Sequence, residues 1–477
     1  LPLTFWWPQN QLKTVSYHMK RNESLGRGVA ALAVGLSGLA LAAPESGERT
    51  GRPNIILCMT DDQGWGDVSY NGLKHITTTN LDAMAAAGVR FNRFYAAHPS
   101  CSPTRASVMT GRHPARMGVL WPGMPFRKQE MTLPQAVKRA GYATGHFGKW
   151  HLNGVGGPGK VIPDSDPLSP RNVGFDESFS VSNYFDADWT FGRNGIPEKT
   201  SGDGSDVIVA EALKFIEKNA RQDKPFLAVI WFGSPHAPHN PLPADKEAAG
   251  GSDYYGEILG VDRSMGTLRS GLRKLGIADN TMVWFSSDNG GWPNPKDPTN
   301  GGSNGPYRGR KGDMYEGGVR VPGLVEWPAR IKKPFITEVS ACTSDIYPTI
   351  IEILKLEVPG QVKPIDGISL LSLLDGQMKA RPSPIGFWQT GGGFGFKEGD
   401  RSKASIASGA SAWNDNQYKL VKRNGKLELY DLTVDPSEKT DIAANHPEIV
   451  ARMKGELESW QTSVVGSLVG EDYKGSK

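Results

Sequence analysis

Short apolar runs rich in β-branched and aromatic residues alternate along this chain with polar clusters and with stretches of helical periodicity. Residues 54–59 (NIILCM) read as a first strand, ending in Thr60-Asp61-Asp62. Residues 142–147 read as a second, ending in Gly148-Lys149-Trp150-His151, and residues 225–232 as a third, ending in Ser234-Pro235-His236. A fourth over 282–285 ends in Ser287-Asp288-Asn289-Gly290. Between them the pattern predicts helices over 80–87, stopped by Gly88, over 207–220, and over 255–275. In the last, Ile258, Val261, Met265, Leu268, Leu272 and Leu275 recur at three- and four-residue spacings and form one apolar stripe for a core. Such alternation predicts an α/β fold with a large, mostly parallel sheet covered by helices. Ligands of open α/β sheets bind beyond the carboxyl ends of the strands. The four polar clusters are therefore expected to converge on one site.

Residues 290–305, rich in Gly, Asn and Pro, read as a long surface loop beside that site. Composition shifts again over 380–400, around Gly391-Gly392-Gly393. Two strand-like runs, 418–421 and 426–430, then suggest a hairpin, and a helix over 447–460 follows. This predicts a smaller C-terminal α+β domain over 381–477, packed on a catalytic domain over 52–380, as suits a chain of 477 residues.

The amino-terminal region has a different pattern. Met19 is followed by Lys20, Arg21 and Arg27, then by a small-residue apolar run over 28–43, with Ala40 and Ala42 placed as in a cleavage site. That layout predicts a signal peptide over 19–43, cleaved near Ala42, and a periplasmic or secreted protein. Residues 1–18 are expected to be a non-native upstream extension. The apolar run is shorter than the about 20 residues a membrane span needs, so no stable membrane insertion is expected. With 54 Lys+Arg against 50 Asp+Glu, the charge is nearly balanced. No nucleic-acid-binding signature accompanies it, and nucleic acid is set aside as a partner. Cys58, Cys101 and Cys342 are the only cysteines, too few for a disulfide framework. Cys58 and Cys342 read as small buried hydrophobes.

Cys101 stands in the segment HPSCSPTRASVMTG, residues 98–111. Pro103 suits the first turn of a helix, placing Cys101 at its positive end, where an anion is favoured. From the residues alone, Cys101 is a buried thiol, a low-pKa nucleophile, or part of an anion site. The run from Cys101 to Arg105 (Cys-x-Pro-x-Arg), continued through Thr110-Gly111-Arg112, resembles the signature of the type I, formylglycine-dependent sulfatases of the alkaline phosphatase-like superfamily. Thr60-Asp61-Asp62-Gln63-Gly64, Gly148-Lys149-Trp150-His151, Ser287-Asp288-Asn289-Gly290 and GRKGDMYEGG over 309–318 resemble further motifs of that family, in family order. The arylsulfatase A and N-acetylgalactosamine-6-sulfatase branches are similar in these motifs.

The resemblance implies that Cys101 is converted to formylglycine by a formylglycine-generating enzyme and acts as the aldehyde hydrate on sulfate monoesters. Asp61, Asp62, Asp288 and Asn289 are hard oxygen ligands, suited to Ca²⁺ or Mg²⁺ rather than zinc. By resemblance, residue 101 adds an oxygen and Ca²⁺ is the usual ion. The resemblance further implies that Arg105 and Lys149 hold the hydrate, that Lys311 binds sulfate, and that His236 protonates the leaving alcohol. His151 would deprotonate the second hydroxyl, which gives the hydrate a release route that a serine ester lacks. Export and the polar loops point to sulfated carbohydrate as substrate.

The remaining histidines read as less specific: His98, His113 and His146 as structural, His239 as a packing or surface residue. Arg308 and Arg310, flanking Lys311, read as a solvated loop face before contacts for an anionic substrate, and Asp186, Asp188 and Trp189 as a sugar subsite. Two rival readings stand beside the sulfatase. One is a phosphonate monoester or phosphodiester hydrolase of the same superfamily; the other is a non-catalytic binder of sulfated glycans.

Overall fold

A computed structural model describes residues 52–389 and 409–473, all within one compact unit, Thr50–Lys477. Its centre is a ten-stranded sheet. The order across it is Phe335–Thr337, Val89–Phe91, Gly323–Glu326, Thr281–Ser287, Asn54–Thr60, Phe226–Trp231, Ala143–Lys149, Glu177–Val181, Thr190–Arg193 and Ile196–Lys199. The five strands from Thr281–Ser287 to Glu177–Val181 pair in parallel. Antiparallel pairings flank them on both sides. The mostly parallel α/β sheet expected is thus present, with antiparallel strands at its flanks.

Residues buried on both faces explain why the central strands are apolar runs without alternation. Ile55, Leu57 and Met59 pack to one side with Leu227, Val229 and Trp231. Ile56 and Cys58 pack to the other with Ala228, Ile230 and Phe285. The predicted helices occur as Thr79–Ala87, Gly204–Arg221 and Asp253–Lys274. Asp203 and Ser252 cap the last two through their side chains. In Asp253–Lys274 the stripe from Ile258 to Leu272 is buried, and Leu275 caps the helix.

The smaller C-terminal domain is an antiparallel sheet of Ile385–Gln389, Ala410–Asn414, Tyr418–Arg423 and Lys426–Asp431. The predicted hairpin closes through Asn424-Gly425, both at positive φ (51° and 79°), as a two-residue turn of this kind requires. The last helix, Pro447–Leu468, runs two turns past the expected end, because Met453, Leu457, Val464 and Leu468 continue one buried face. Among the described residues no helix is long and apolar enough to cross a membrane. The expected signal peptide, the upstream extension and Gly391-Gly392-Gly393 lie outside the described residues.

Candidate active site

The four polar clusters leave the sheet at neighbouring strand ends and are tied together by backbone. Asp61 N donates to Ser234 O (3.1 Å) and Asp288 N to Thr60 O (3.1 Å), so pairing persists one residue past the strands. Gly148 holds φ +99°, and a Cβ there would lie 2.0 Å from Trp231 O. Only glycine allows that approach, which sets Lys149 beside the Asp61 turn. Likewise a Cβ on Gly290 would lie 1.9 Å from Gly317 O. The close crossing brings the 308–318 segment over the site, where Lys311 N donates to Gly291 O (3.2 Å) and Gly312 N to Pro99 O (2.8 Å).

Cys101 opens the helix Cys101–Thr110, with Ser100 extended before it. Its thiol and the carboxylates of Asp61, Asp62 and Asp288, all buried, bring ligand atoms within 4.8 Å of one another. Asn289 joins them by donating from Nδ2 to Asp62 Oδ1 (2.8 Å). Two oxygens of this group, Asp61 Oδ1 and Asn289 Oδ1, are buried without a hydrogen-bond partner. Buried acceptors left unpaired are costly. An oxygen-rich set with two idle acceptors fits a hard divalent cation, and the five expected ligands are therefore brought to one place.

Three cations face these carboxylates. Lys149 Nζ lies 2.6 Å from Asp61 Oδ2, and Lys311 Nζ lies 2.6 Å from Asp62 Oδ1. Arg105, wholly buried, donates to Asp288 Oδ2 from NH2 (2.7 Å) and Nε (3.1 Å), and stacks on Trp231. Burial by itself would raise Asp61, yet Lys149, His236, Arg105 and Lys311 pull it far below the usual carboxylate range. Asp288 goes the other way, to about 7, through burial and the neighbouring Asp61. Burial also pushes the Cys101 thiol up to about 12, against the pull of Lys149 and Lys311. The unmodified side chain is thus a poor thiolate nucleophile.

His151 sits at φ +57°, held by its backbone N donating to Ser182 O (2.8 Å). Its Nδ1 has no partner, and burial with Lys149 and Arg105 keeps the ring's pKa well below 6.5. It is a neutral imidazole able to accept a proton. His236 lies at the opening, with Nε2 3.8 Å from Asp62 Oδ2 and its ring stacked on Tyr184 (4.9 Å, 13°). His239 donates from Nε2 to Pro235 O (3.0 Å) and meets the edge of Tyr254.

The site opens into a cleft of about 460 Å³ whose walls include Asp62, His236, Lys311, His239, Tyr254 and Trp292. Sequence reasoning missed Tyr184, Tyr254 and Trp292: Tyr184 and Trp292 sit on loops, whose packing has no local signature, and Tyr254 is a buried residue in the first turn of a helix, just before its predicted start. Arg308 is exposed, as a residue on a solvated loop face should be, but it has a second role. It donates to Tyr430 OH (2.8 Å) and stacks on Tyr315, docking its loop on the C-terminal sheet. Trp189 donates to Gly159 O (3.0 Å) and Asp188 accepts from Gly202 N (2.8 Å). Neither lines the cleft. His98, His113 and His146 are buried, with pKa values depressed by burial, as structural histidines should be.

Comparisons with known proteins agree with this geometry. A family model described as Sulfatase matches residues 53–356, and one described as N-sulphoglucosamine sulphohydrolase, C-terminal, matches residues 309–463. The chain is 31% identical to the N-acetylgalactosamine-6-sulfatase of Homo sapiens, over 87% of this chain and 86% of that protein. It is 30% identical to human arylsulfatase A, over 88% of each. The crystal structure of Ps i-CgsB in complex with k-i-k-neocarrahexaose superposes with a TM-score of 0.75 at 26% identity, covering 86% of this chain and 93% of that one.

Proposed function

The chain belongs to the sulfatase family and is a sulfuric ester hydrolase, and on that premise we propose that it hydrolyses sulfate monoesters on carbohydrate, using a formylglycine made from Cys101. The observation that carries this reading is the buried meeting of Cys101 with three carboxylates and three cations at the floor of an open cleft. Relatives named for a sulfated amino sugar, and a neighbour holding an oligosaccharide, support the choice of substrate.

Asp61, Asp62, Asp288, Asn289 and the oxygen at position 101 would hold Ca²⁺, with Mg²⁺ the alternative. When bound and formed, the ion and the aldehyde hydrate supply charge neutralisation of the ester and an attacking oxygen. Lys311, at the cleft wall, holds the sulfate group by charge. Arg105 and Lys149, fully buried, fix the carboxylates and the side chain at 101. His236, at the opening, donates a proton to the leaving sugar oxygen, and neutral His151 accepts one at the end of the cycle. A formylglycine-generating enzyme is the maturation partner. We assign residues 19–43 to a signal peptide for export, residues 52–380 to the catalytic domain and residues 381–477 to the C-terminal subdomain.

The test is an ester panel on matured protein. Sulfated saccharides, an aryl sulfate and a phosphonate monoester are incubated with the chain and with Cys101→Ala. Sulfate release that disappears in the variant is expected. Cleavage of the phosphonate alone would contradict the sulfate assignment, and binding without any cleavage would contradict catalysis.

A further inference from the structure

Among the large hydrophobic side chains that the described residues leave exposed, Trp292 is the one aromatic, at 53% exposure. It also lines the cleft that Asp62, His236 and Lys311 share. Its loop is not loose: Gly302 N donates to Trp292 O (3.1 Å), and Asn304 ties Gly291 from both its amide atoms (2.7 and 3.2 Å). An indole held on a pinned loop at a rim, and half exposed, offers the ring surface that its cationic neighbour leaves uncovered. The guanidinium of Arg310 lies 4.1 Å from that ring's centroid. Arg310 is itself exposed, and among the described residues no carboxylate pairs with its guanidinium. The cation is poised beside the cleft with its fork of donors free for an anion.

Resting on the sulfatase reading above, we propose that this cleft selects oligosaccharides carrying a second anionic group on the sugar next to the sulfated one. The neighbouring pyranose packs its C–H face on Trp292, and its carboxylate or sulfate pairs with Arg310. The cleft of about 460 Å³ lies within the ordinary range of about 300–1,000 Å³ for small-molecule sites. Asn294 and Asn300 on the same wall offer amides to the sugar hydroxyls. The sulfate under attack is held by Lys311; Arg310 reads the next charge along.

The experiment measures kcat/KM for matured wild type, Trp292→Ala and Arg310→Gln, on an aryl sulfate and three disaccharides. These are one with a single sulfate, one with an added uronate on the neighbouring sugar, and one with an added sulfate there. The reading is the ratio of each saccharide to the aryl sulfate. Trp292→Ala is expected to lower it about tenfold for all three, and Arg310→Gln about tenfold for the doubly anionic pair only. Loss confined to the uronate or to the second sulfate still supports the proposal and names the anion. Equal losses on aryl sulfate and saccharides would make the pair a loop brace and overturn it, as would unchanged ratios. Silence of wild type on every ester would contradict the sulfatase reading instead. Calorimetry on Cys101→Ala, with and without Arg310→Gln, then reads the cleft alone. A preference for the doubly anionic sugar that Arg310→Gln removes supports the proposal; equal binding overturns it.

Discussion

Two of the buried charge clusters among the described residues differ in what surrounds them. At the junction with the C-terminal sheet, Lys419 lies 2.9 Å from Glu316 and 3.1 Å from Glu438, all with side chains wholly buried. Arg320 and Tyr95 complete Glu316, and Glu316 N donates to Glu438 (2.6 Å). At the strand ends, Arg105, Lys149 and Lys311 meet Asp61, Asp62 and Asp288 at similar distances. There, Asp61 Oδ1 and Asn289 Oδ1 lack hydrogen-bond partners. At the junction Glu438 Oε1 also lacks one but lies 3.1 Å from Lys419 Nζ, and it is the strand-end group that a cleft reaches. Buried ion pairs alone are weak evidence of either stability or function. Access from the cleft, more than the idle acceptors, distinguishes the site from the brace.

The largest break in this contrast is expected from Asp62→Asn. It removes an oxygen ligand and the partner of Lys311, and sulfate release should fall by about 10²–10³. Cation content by plasma mass spectrometry should fall with it while circular dichroism keeps the native signal. A variant that retains both ion and turnover would refute the ligand assignment. Lys419→Met should do the reverse. Leaving Glu316 and Glu438 buried beside one another costs about 3–5 kcal/mol by urea unfolding, with turnover per folded molecule preserved. An unmoved midpoint would mean the brace is not one.

Calcium sharpens the comparison further. Free ion at 100 times its dissociation constant should stabilise wild type by about 2.7 kcal/mol. Thermal melts should register the same gain in Lys419→Met and none in Asp62→Asn. A gain in all three would place the ion elsewhere. The smallest effect concerns pH. Burial and the adjacent Glu316 raise the Glu438 carboxyl toward neutrality, against the pull of Lys419. The folded state then holds a proton that the unfolded chain has already lost, so stability falls as pH rises from the ordinary glutamate range to neutrality. Glu438→Gln should flatten that slope without altering the pH profile of sulfate release; an unchanged slope would show that Glu438 does not titrate there.

Much of the site is readable along the chain because catalysis is hung on strand ends. Residues 54–59 and 225–232 are so apolar that their termini are marked by the first charges, Asp61 and His236. The stripe from Ile258 to Leu272 declares its helix by period. The flanking strands escaped notice for a physical reason: Val89–Phe91 and Gly323–Glu326 are three and four residues long, too short to show alternation. Pairings across long sequence gaps, such as Lys311 with Asp62, are set by Gly290 crossing Gly317, a contact with no local signature. That the exposed Arg308 also docks on Tyr430 was not legible, because the two are 122 residues apart.

The most direct measurement follows sulfate release against the fraction of position 101 present as formylglycine, by peptide mass spectrometry. Preparations would come from cells with graded amounts of the generating enzyme. The account predicts a rate proportional to conversion and extrapolating to zero for unconverted Cys101, whose buried thiol holds its proton. Equal turnover by unconverted protein would contradict it.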